Sequence, residues 1–274
     1  MLDGDQCDRW RVDVIAVGGL RISFARTGQG SAVVLLGGFV GGAEATWRHQ
    51  IDTLSTDRTV VAWDAPGSGG SADPQDSFRL PDYADCLAEV IAVLNLESPV
   101  IVGLSFGGAL ALEFFRRHRN QVSGLVLAGA YAGWAGSLPP DSVQARLRMS
   151  LEASRLPPSE FASALLPSMF SINAAADRVA EFAADVASSF HPSGFRAMAR
   201  ASAEADLRDV LPTVDVPTLI LHGDQDVRAP RAVADALHAA IPKSSLTVLA
   251  DVGHVSCVEA PERFTAEVQA FLNR

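Results

Sequence analysis

The chain has 274 residues, of which 48% are hydrophobic, and its formal net charge is -10. This length supports one large core with a small insertion. The acidic balance, without any basic run, argues against nucleic acid or an anionic membrane as a partner. No stretch approaches the ~20 apolar residues of a membrane span, and the acidic N-terminus is unlike a secretory signal, so we expect a cytoplasmic protein.

The sequence shows no pattern typical of a metal or cofactor site. Cys7, Cys86 and Cys257 are odd in number and widely separated, so we expect free, packed thiols rather than a disulfide framework. There is no H-E-x-x-H, and the glycine-rich stretch 37–42 lacks the lysine of a phosphate loop. We therefore expect neither a metal nor a cofactor.

Strands and helices alternate through the first half of the chain. Residues 11–17 and 20–26 predict a hairpin joined at Gly18-Gly19. Continuous apolar runs then predict strands buried on both faces, separated by segments with helical spacing. In order these are strand 32–36, helix 44–56, strand 59–63, helix 81–96, strand 100–104, a helix through 109–115, and strand 122–128.

This alternation stops between residues 132 and 208, where helical segments are broken by prolines and no strand is evident. It resumes with strand 216–222, helix 230–240, strand 245–250 and helix 260–272. The sequence therefore predicts an α/β fold, with a mostly parallel twisted sheet of about eight strands covered by helices on both faces. Residues 1–131 and 209–274 would form the core, and residues 132–208 a helical cap, or lid.

One serine lies at a sharp junction between a strand and a helix. In the stretch Gly103-Leu104-Ser105-Phe106-Gly107 the chain must turn within almost no residues, which forces Ser105 into a strained conformation. Its hydroxyl would be exposed at a helix N-terminus, a position suited to a nucleophile.

Other polar residues follow strands whose carboxyl ends should meet the same edge of the sheet. Asp224 and Asp226 follow the strand 216–222, and His254 follows the last strand. Acyl transfer by serine requires a base to accept the hydroxyl proton and an acid to orient that base. His254 and one of the two aspartates supply both.

Together these motifs resemble the α/β-hydrolase superfamily over nearly the whole chain: two leading strands, a glycine-rich loop, DAPGSGGS at 64–71, the GLSFG turn, a helical cap, GDQD and GH. The order Ser, Asp, His is the one described for that superfamily. Family loops resemble HG-x-x-D-x-x-x-P, and Gly223, Asp226 and Pro230 occupy this frame. The resemblance therefore implies the triad Ser105, Asp226 and His254, with Asp224 left as a loop carboxylate.

The resemblance also implies an oxyanion hole formed by the backbone N–H groups of Phe39 and Phe106. Here the sequence departs from the family, because Gly37 replaces the commoner histidine at the start of the first loop. Asp64 and Ser71 are expected to build a turn near the site. His222 is expected to pack at a strand end. Four histidines are expected at the surface: His49, His118, His191 and His238.

The substrate pocket is expected to lie under the cap. We predict that it is lined by Gly38, Val40, Trp134, Met169, Phe170, Val227 and Val255. Apolar cap residues either contribute a wall or form the cap's own core: Trp134, Leu147, Met149, Phe161, Leu165, Leu166, Met169, Phe170, Phe190 and Phe195.

The predicted function is a serine hydrolase that cleaves a carboxylic ester or lactone of a small, largely apolar molecule. The alternatives by resemblance are a carbon–carbon bond hydrolase or enol-lactonase of ring-cleavage products, a cofactor-free perhydrolase, and a lyase or ligand-binding protein that retains the triad. A serine at position 105 argues against haloalkane dehalogenases and epoxide hydrolases, which attack with a carboxylate. The oligomeric state, monomer or homodimer, stays open.

Overall fold

A computed structural model describes residues 11–274, and Cys7 lies outside this range. Within it, eight strands form a single sheet in the order β1-β2-β4-β3-β5-β6-β7-β8. The strands are β1 (Arg11–Val17), β2 (Leu20–Thr27), β3 (Ala32–Leu36), β4 (Thr59–Trp63), β5 (Val100–Leu104), β6 (Gly124–Ala128), β7 (Thr218–Gly223) and β8 (Ser244–Leu249). β1 and β2 pair antiparallel, as do β2 and β4, and the remaining pairs are parallel. The predicted fold class is confirmed.

Helices cover both faces of this sheet. The α-helices of residues 11–274 are α1 (Ala43–Leu54), α2 (Leu80–Val93), α3 (Phe106–His118), α4 (Pro140–Ala153), α5 (Pro158–Leu165), α6 (Ala176–Ser188), α7 (Pro192–Glu204), α8 (Arg231–Ala240), α9 (Ser256–Glu259) and α10 (Pro261–Leu272). No helix among residues 11–274 combines the length and the apolar character needed to cross a bilayer.

The continuous apolar runs of the strands follow from burial on two sides. In β3, Val34 and Leu36 pack into the cluster that contains residues of α2, α3 and α8. Val33 and Leu35 point to the opposite face and pack into the cluster that contains residues of α1 and α10. Because successive strand residues point to opposite faces, a strand buried on both faces has no solvent-facing side, and its residues are mostly apolar.

The segment 132–208, here called the helical insertion, lies between β6 and β7 and contains α4 to α7 without a strand. The sequence marks its prolines as breaks, and the structure shows that three of them begin helices: Pro140, Pro158 and Pro192. Proline suits a first helical position because its missing N–H would have no acceptor there and its φ is already helical.

Most differences from the sequence prediction lie at the ends of elements. β6 begins at Gly124 rather than 122, and α1 ends at Leu54 rather than 56. The short α9 is missing from the prediction, because four residues are too few to show a helical period.

Candidate active site

Ser105 occupies the turn between β5 and α3. Its φ of 54° and ψ of -109° place a non-glycine residue at positive φ, a conformation that costs about 1–3 kcal/mol. The Ser105 N–H donates to the carbonyl of Ala128 at 2.8 Å, which holds the turn against the end of β6. Its partly exposed side chain stands at the N-terminus of a 13-residue helix.

Close packing at this turn explains one of its glycines. A Cβ at Gly107 would lie 2.2 Å from the carbonyl oxygen of Leu36 in β3. The first turn of α3 therefore rests directly on the backbone of the neighbouring strand, and this contact fixes the direction in which Ser105 is presented.

His254 and Asp226 form a buried pair. His254 Nδ1 and Asp226 Oδ2 are 2.7 Å apart, and the two side chains are 2% and 0% exposed. Asp226 Oδ1 accepts the backbone N–H groups of Arg228 and Ala229, each at 2.8 Å. Asp224 is exposed. Asp226, rather than Asp224, is therefore the aspartate placed to orient His254.

The electrostatics of this pair keep Asp226 ionised. Burial by itself would raise the pKa of Asp226, but the positive charge of His254 and the hydrogen bonds from His254 and two backbone amides outweigh it. The net effect lowers the pKa of Asp226 below its usual value.

Hydrogen bonds connect the loop that carries His254 to the helical insertion. The N–H of Gly253 donates to the Glu259 carboxylate at 2.9 Å, and the same carboxylate accepts the Ser171 N–H at 3.1 Å and its hydroxyl. The N–H of Val255 donates to the carbonyl of Met169 at 3.1 Å. Hydrogen bonds thus hold both residues beside His254, Gly253 through Glu259 and Val255 through Met169. This role of Glu259 is missing from the sequence prediction.

Gly129, just after β6, packs against the His–Asp pair. Its φ is +50°, and a Cβ at this position would lie 3.1 Å from His254 Nδ1 and 3.4 Å from Asp226 Oδ2. The site therefore requires glycine for its backbone conformation and for the space beside the imidazole.

The residues expected to form an oxyanion hole lie on either side of Ser105. Phe106 is the first residue of α3, and Phe39 lies in the loop after β3 with its ring 5.5 Å from that of Phe106. A Cβ at Gly38 would be 3.8 Å from the Ser105 Cβ, so this loop passes close to the serine. Among the described residues, neither the Phe39 nor the Phe106 N–H has a backbone partner.

Two small cavities, of about 10 and 20 Å³, meet at Ser105. Both are lined by Phe39, Ser105, Arg228 and His254. The first, here called the polar cavity after Tyr131, Arg146 and Ser202, is also lined by Phe106, Ala109, Gly133 and Trp134. The second, here called the apolar cavity, also contains Gly38, Val40, Leu165, Met169, Phe195 and Val255.

The structure places most predicted pocket residues at these cavities. Gly38, Val40, Met169 and Val255 line the apolar cavity, and Trp134 lines the polar cavity.

Two predicted pocket residues lie elsewhere. Phe170 and Val227 line a separate groove on the outside of the helical insertion, and Val227 is 70% exposed. The neighbours of Val227, Asp226 and Arg228, lie at the site, whereas the Val227 side chain points away from it into solvent. Phe170 is buried and packs against Phe182, with ring centroids 5.8 Å apart.

The other aromatic and apolar residues of the helical insertion divide between the cavities and its own core. Leu165 and Phe195 line the apolar cavity. The rings of Phe161 and Phe190 stack with centroids 3.8 Å apart, whereas Met149 is 60% exposed.

Two arginines at the site were missing from the sequence prediction. Arg228 Nη1 donates to Ser168 Oγ at 2.8 Å, and Arg146 donates from Nη1 to the Tyr131 hydroxyl at 2.7 Å and from Nη2 to the Arg228 carbonyl at 2.9 Å. Tyr131 also donates to that carbonyl. Burial lowers the pKa of Arg228. The only sequence signal for Arg228 is its place two residues after Asp226, and Arg146 lies far away along the chain.

Several other candidate residues have structural roles. Asp64 accepts the N–H groups of Ala43 at 2.7 Å and Gly70 at 2.8 Å, and Ser71 donates to the Asp64 carbonyl, so this loop is built around Asp64. His222 is buried, and burial lowers its pKa.

Three of the four histidines expected at the surface are partly buried: His49, His118 and His191. His118 Nε2 lies 2.9 Å from Asp85 Oδ1, and His191 Nδ1 lies 2.8 Å from Asp73 Oδ1. In the part of the chain that the structure describes, no group of three or more His, Cys, Asp or Glu side chains could hold a metal ion.

Comparison with known proteins places this fold and site in a family. A model of the α/β hydrolase fold matches residues 31–261. The chain belongs to the α/β hydrolase family. It is an α/β-fold hydrolase, as the resemblance in the sequence indicates.

Relatives of this hydrolase act on several kinds of bond. A 2-hydroxymuconate semialdehyde hydrolase from Pseudomonas is 31% identical over 275 residues, covering 94% of this chain and 92% of the relative. A 3-oxoadipate enol-lactonase from Acinetobacter baylyi is 25% identical over 269 residues, covering 96% and 97%. The structure of a thermophilic esterase from Thermogutta terrifontis superposes with a TM-score of 0.86 at 28% identity, covering 96% and 98%.

Proposed function

We propose that this hydrolase cleaves a carboxylic ester or lactone, with Ser105 as nucleophile, His254 as base and Asp226 as the acid that orients the base. The observation that carries the proposal is the buried 2.7 Å contact between His254 Nδ1 and Asp226, with His254 and the strained Ser105 lining the same cavities. A nucleophile, a base and a group that orients the base are the parts that acyl transfer by serine requires.

The steps follow from this arrangement. His254 accepts the hydroxyl proton as Ser105 Oγ attacks the carbonyl carbon, and the backbone N–H groups of Phe39 and Phe106 donate to the developing oxyanion. The leaving alkoxide takes the proton from His254, which leaves an acyl-enzyme on Ser105. His254 then takes a proton from a water molecule as the water attacks the acyl carbon. The bond to Ser105 Oγ breaks, Oγ takes the proton back from His254, and the acid is released. Asp226 remains ionised throughout and stabilises the protonated imidazole.

A fluorophosphonate probe tests for the activated nucleophile directly. We expect one equivalent of probe to label the folded protein, and peptide mass spectrometry to place the label on Ser105, because the probe reacts with activated serines only. Heat-denatured protein serves as the control and should not be labelled, since the arrangement of His254 and Asp226 is then lost. Folded protein that resists the probe contradicts the proposal.

Replacing Gly129 by alanine should damage catalysis far more than folding. The new Cβ would lie 3.1 Å from the His254 ring, and small displacements of a catalytic group can cost ~10²-fold in rate. We therefore expect kcat/KM for p-nitrophenyl butyrate to fall by roughly 100-fold.

Gly18 offers a matched control for this substitution. Its φ of +55° is similar to that of Gly129, but nothing lies within 4 Å of a Cβ placed there. Gly18→Ala therefore introduces similar backbone strain without a contact to the site. Equal losses of kcat/KM in the two variants would show that strain, and not displacement of His254, is responsible.

A carbon–carbon bond hydrolase is a second candidate, favoured by the 31% identity to a 2-hydroxymuconate semialdehyde hydrolase. The two functions are separated by giving the enzyme 2-hydroxymuconate semialdehyde and a p-nitrophenyl ester side by side. Faster turnover of the dienol substrate, by kcat/KM, would favour the second candidate.

A further inference from the structure

The active site contains two positively charged side chains without a negatively charged partner. Among residues 11–274, neither Arg146 nor Arg228 takes part in an ion pair. Both line the polar cavity beside Ser105. Asp226 is the acidic residue nearby, and its carboxylate is already bonded to His254 and to two backbone amides. The formal net charge of the protein is -10, so this local excess of positive charge runs against its overall balance.

Arg228 has donors left over. Its Nη1 bonds to the neutral hydroxyl of Ser168, and no partner within the described residues accepts from its Nε or Nη2. A guanidinium withdrawn from water loses hydration, and a neutral hydroxyl compensates only part of this loss. Such an arrangement is typical of a binding site that receives its counter-charge from a ligand.

Arg146 has a structural explanation for most of its contacts. Its guanidinium lies 5.4 Å from the ring centroid of Tyr131 and 5.3 Å from that of Trp134, and both Nη atoms have acceptors. It connects α4 to the loop that carries Asp226. These contacts account for the position of Arg146 but leave the free donors of Arg228 unexplained.

The two cavities differ in character on either side of the nucleophile. Arg228 lines both cavities. Arg146, Tyr131 and Ser202 line the polar cavity alone, whereas Val40, Leu165, Met169, Phe195 and Val255 line the apolar cavity alone. A substrate whose carbonyl lies at Ser105 therefore has a different set of side chains on each side of that carbonyl.

We infer that the substrate is an ester or lactone that carries a carboxylate, which binds Arg228 in the polar cavity while an apolar group fills the apolar cavity. This inference rests on the proposed function and replaces the largely apolar molecule expected from the sequence. A planar guanidinium with two free donors matches the geometry of a carboxylate, and such charge-assisted pairs fix orientation as well as adding affinity. Arg146 adds a second positive charge to the lining of the same cavity.

A different role for Arg228 has to be separated from this one. A guanidinium near Ser105 could stabilise the oxyanion of the transition state, and it would then act equally on charged and neutral substrates. Binding of a substrate carboxylate instead favours the charged substrate alone. The ratio of kcat/KM between matched charged and neutral esters distinguishes the two roles.

The experiment uses two such pairs, one for each side of the scissile bond. The first is mono-p-nitrophenyl adipate against its methyl ester. The second is 4-(carboxymethyl)phenyl butyrate against its methyl ester. Within each pair the reacting bond and the leaving group are nearly the same, and only the remote charge differs. We expect the carboxylate to raise kcat/KM by about 10- to 100-fold in the pair whose carboxylate reaches the polar cavity.

Variants then assign the preference to the guanidinium. Arg228→Met should reduce the charged-to-neutral ratio to near one, and Arg228→Lys should retain part of it, because lysine keeps the charge but not the planar pair of donors. Arg148→Met is the matched control: Arg148 lies on α4, two residues after Arg146, and is exposed. This variant changes the net charge equally and should leave the ratio unchanged. Arg146→Met should lower the ratio, and it tests the second charge if Arg228→Met does not fold.

A binding measurement separates failure of this inference from failure of the proposed function. Calorimetry with phenylacetate and the neutral phenylacetamide requires no turnover, and we expect phenylacetate to bind at least about tenfold more tightly through Arg228. Ester hydrolysis without any charge preference, or equal losses for both esters in Arg228→Met, overturns the inference alone. Arg228-dependent binding of phenylacetate without ester hydrolysis supports the anion site and contradicts the ester proposal.

Discussion

Ser105→Ala should abolish ester hydrolysis while leaving the fold intact. Removing the nucleophile of a Ser-His-Asp enzyme costs about 10⁴- to 10⁶-fold in kcat, and what remains comes from the oxyanion donors and from binding. We expect a loss of this size for p-nitrophenyl butyrate, measured at saturating substrate, with KM changed little. Because the hydroxyl makes no hydrogen bond to another group within residues 11–274 that would support the turn, the thermal midpoint should stay close to that of the parent.

The control for this substitution is Ser163→Ala on α5. Ser163 is exposed and its hydroxyl donates only to the carbonyl of Ser159 at 2.9 Å. The same change of side chain there should leave kcat within about twofold of the parent, as for an ordinary surface substitution. If Ser105→Ala hydrolyses the ester as fast as Ser163→Ala, Ser105 is not the nucleophile.

Asp226→Asn should lower kcat by about 10⁴-fold, as loss of the orienting carboxylate does in serine hydrolases. Oδ1 accepts two backbone N–H groups, so an asparagine would keep its oxygen there and present its NH₂ group to His254 Nδ1. Nδ1 must then act as the acceptor, and the imidazole proton moves to Nε2, which can no longer accept the proton of Ser105. The measurement is kcat for p-nitrophenyl butyrate between pH 6 and 9.

Asp224→Asn makes the identical chemical change two residues away. Asp224 is exposed, and its N–H donates to the carbonyl of Leu249 through the backbone, which the substitution leaves in place. We expect kcat to remain within about threefold of the parent, as for a surface substitution. A loss at Asp224 that equals the loss at Asp226 would remove the basis for assigning Asp226.

The sequence by itself determined the arrangement of strands and helices. β3, β4 and β5 have the bounds that the apolar runs predict, because strands buried on both faces require an uninterrupted apolar run. The sequence also predicts the turn at Ser105, because a strand that passes directly into a helix needs glycines on both sides of the residue in the strained conformation. These features depend on residues close together in the chain, so the sequence alone predicts them.

The contacts between distant segments were decided by the tertiary structure. Nothing in the sequence indicates that Gly129 packs against His254. The sequence predicts Val227 as a pocket residue, whereas its side chain is exposed in the structure. Arg146 and Arg228 are 82 residues apart, yet they meet at the Arg228 carbonyl and line the same cavity. A single sequence does not show which distant side chains share a cavity, or whether a charge there has a partner. The polar cavity could therefore be identified only from the tertiary structure.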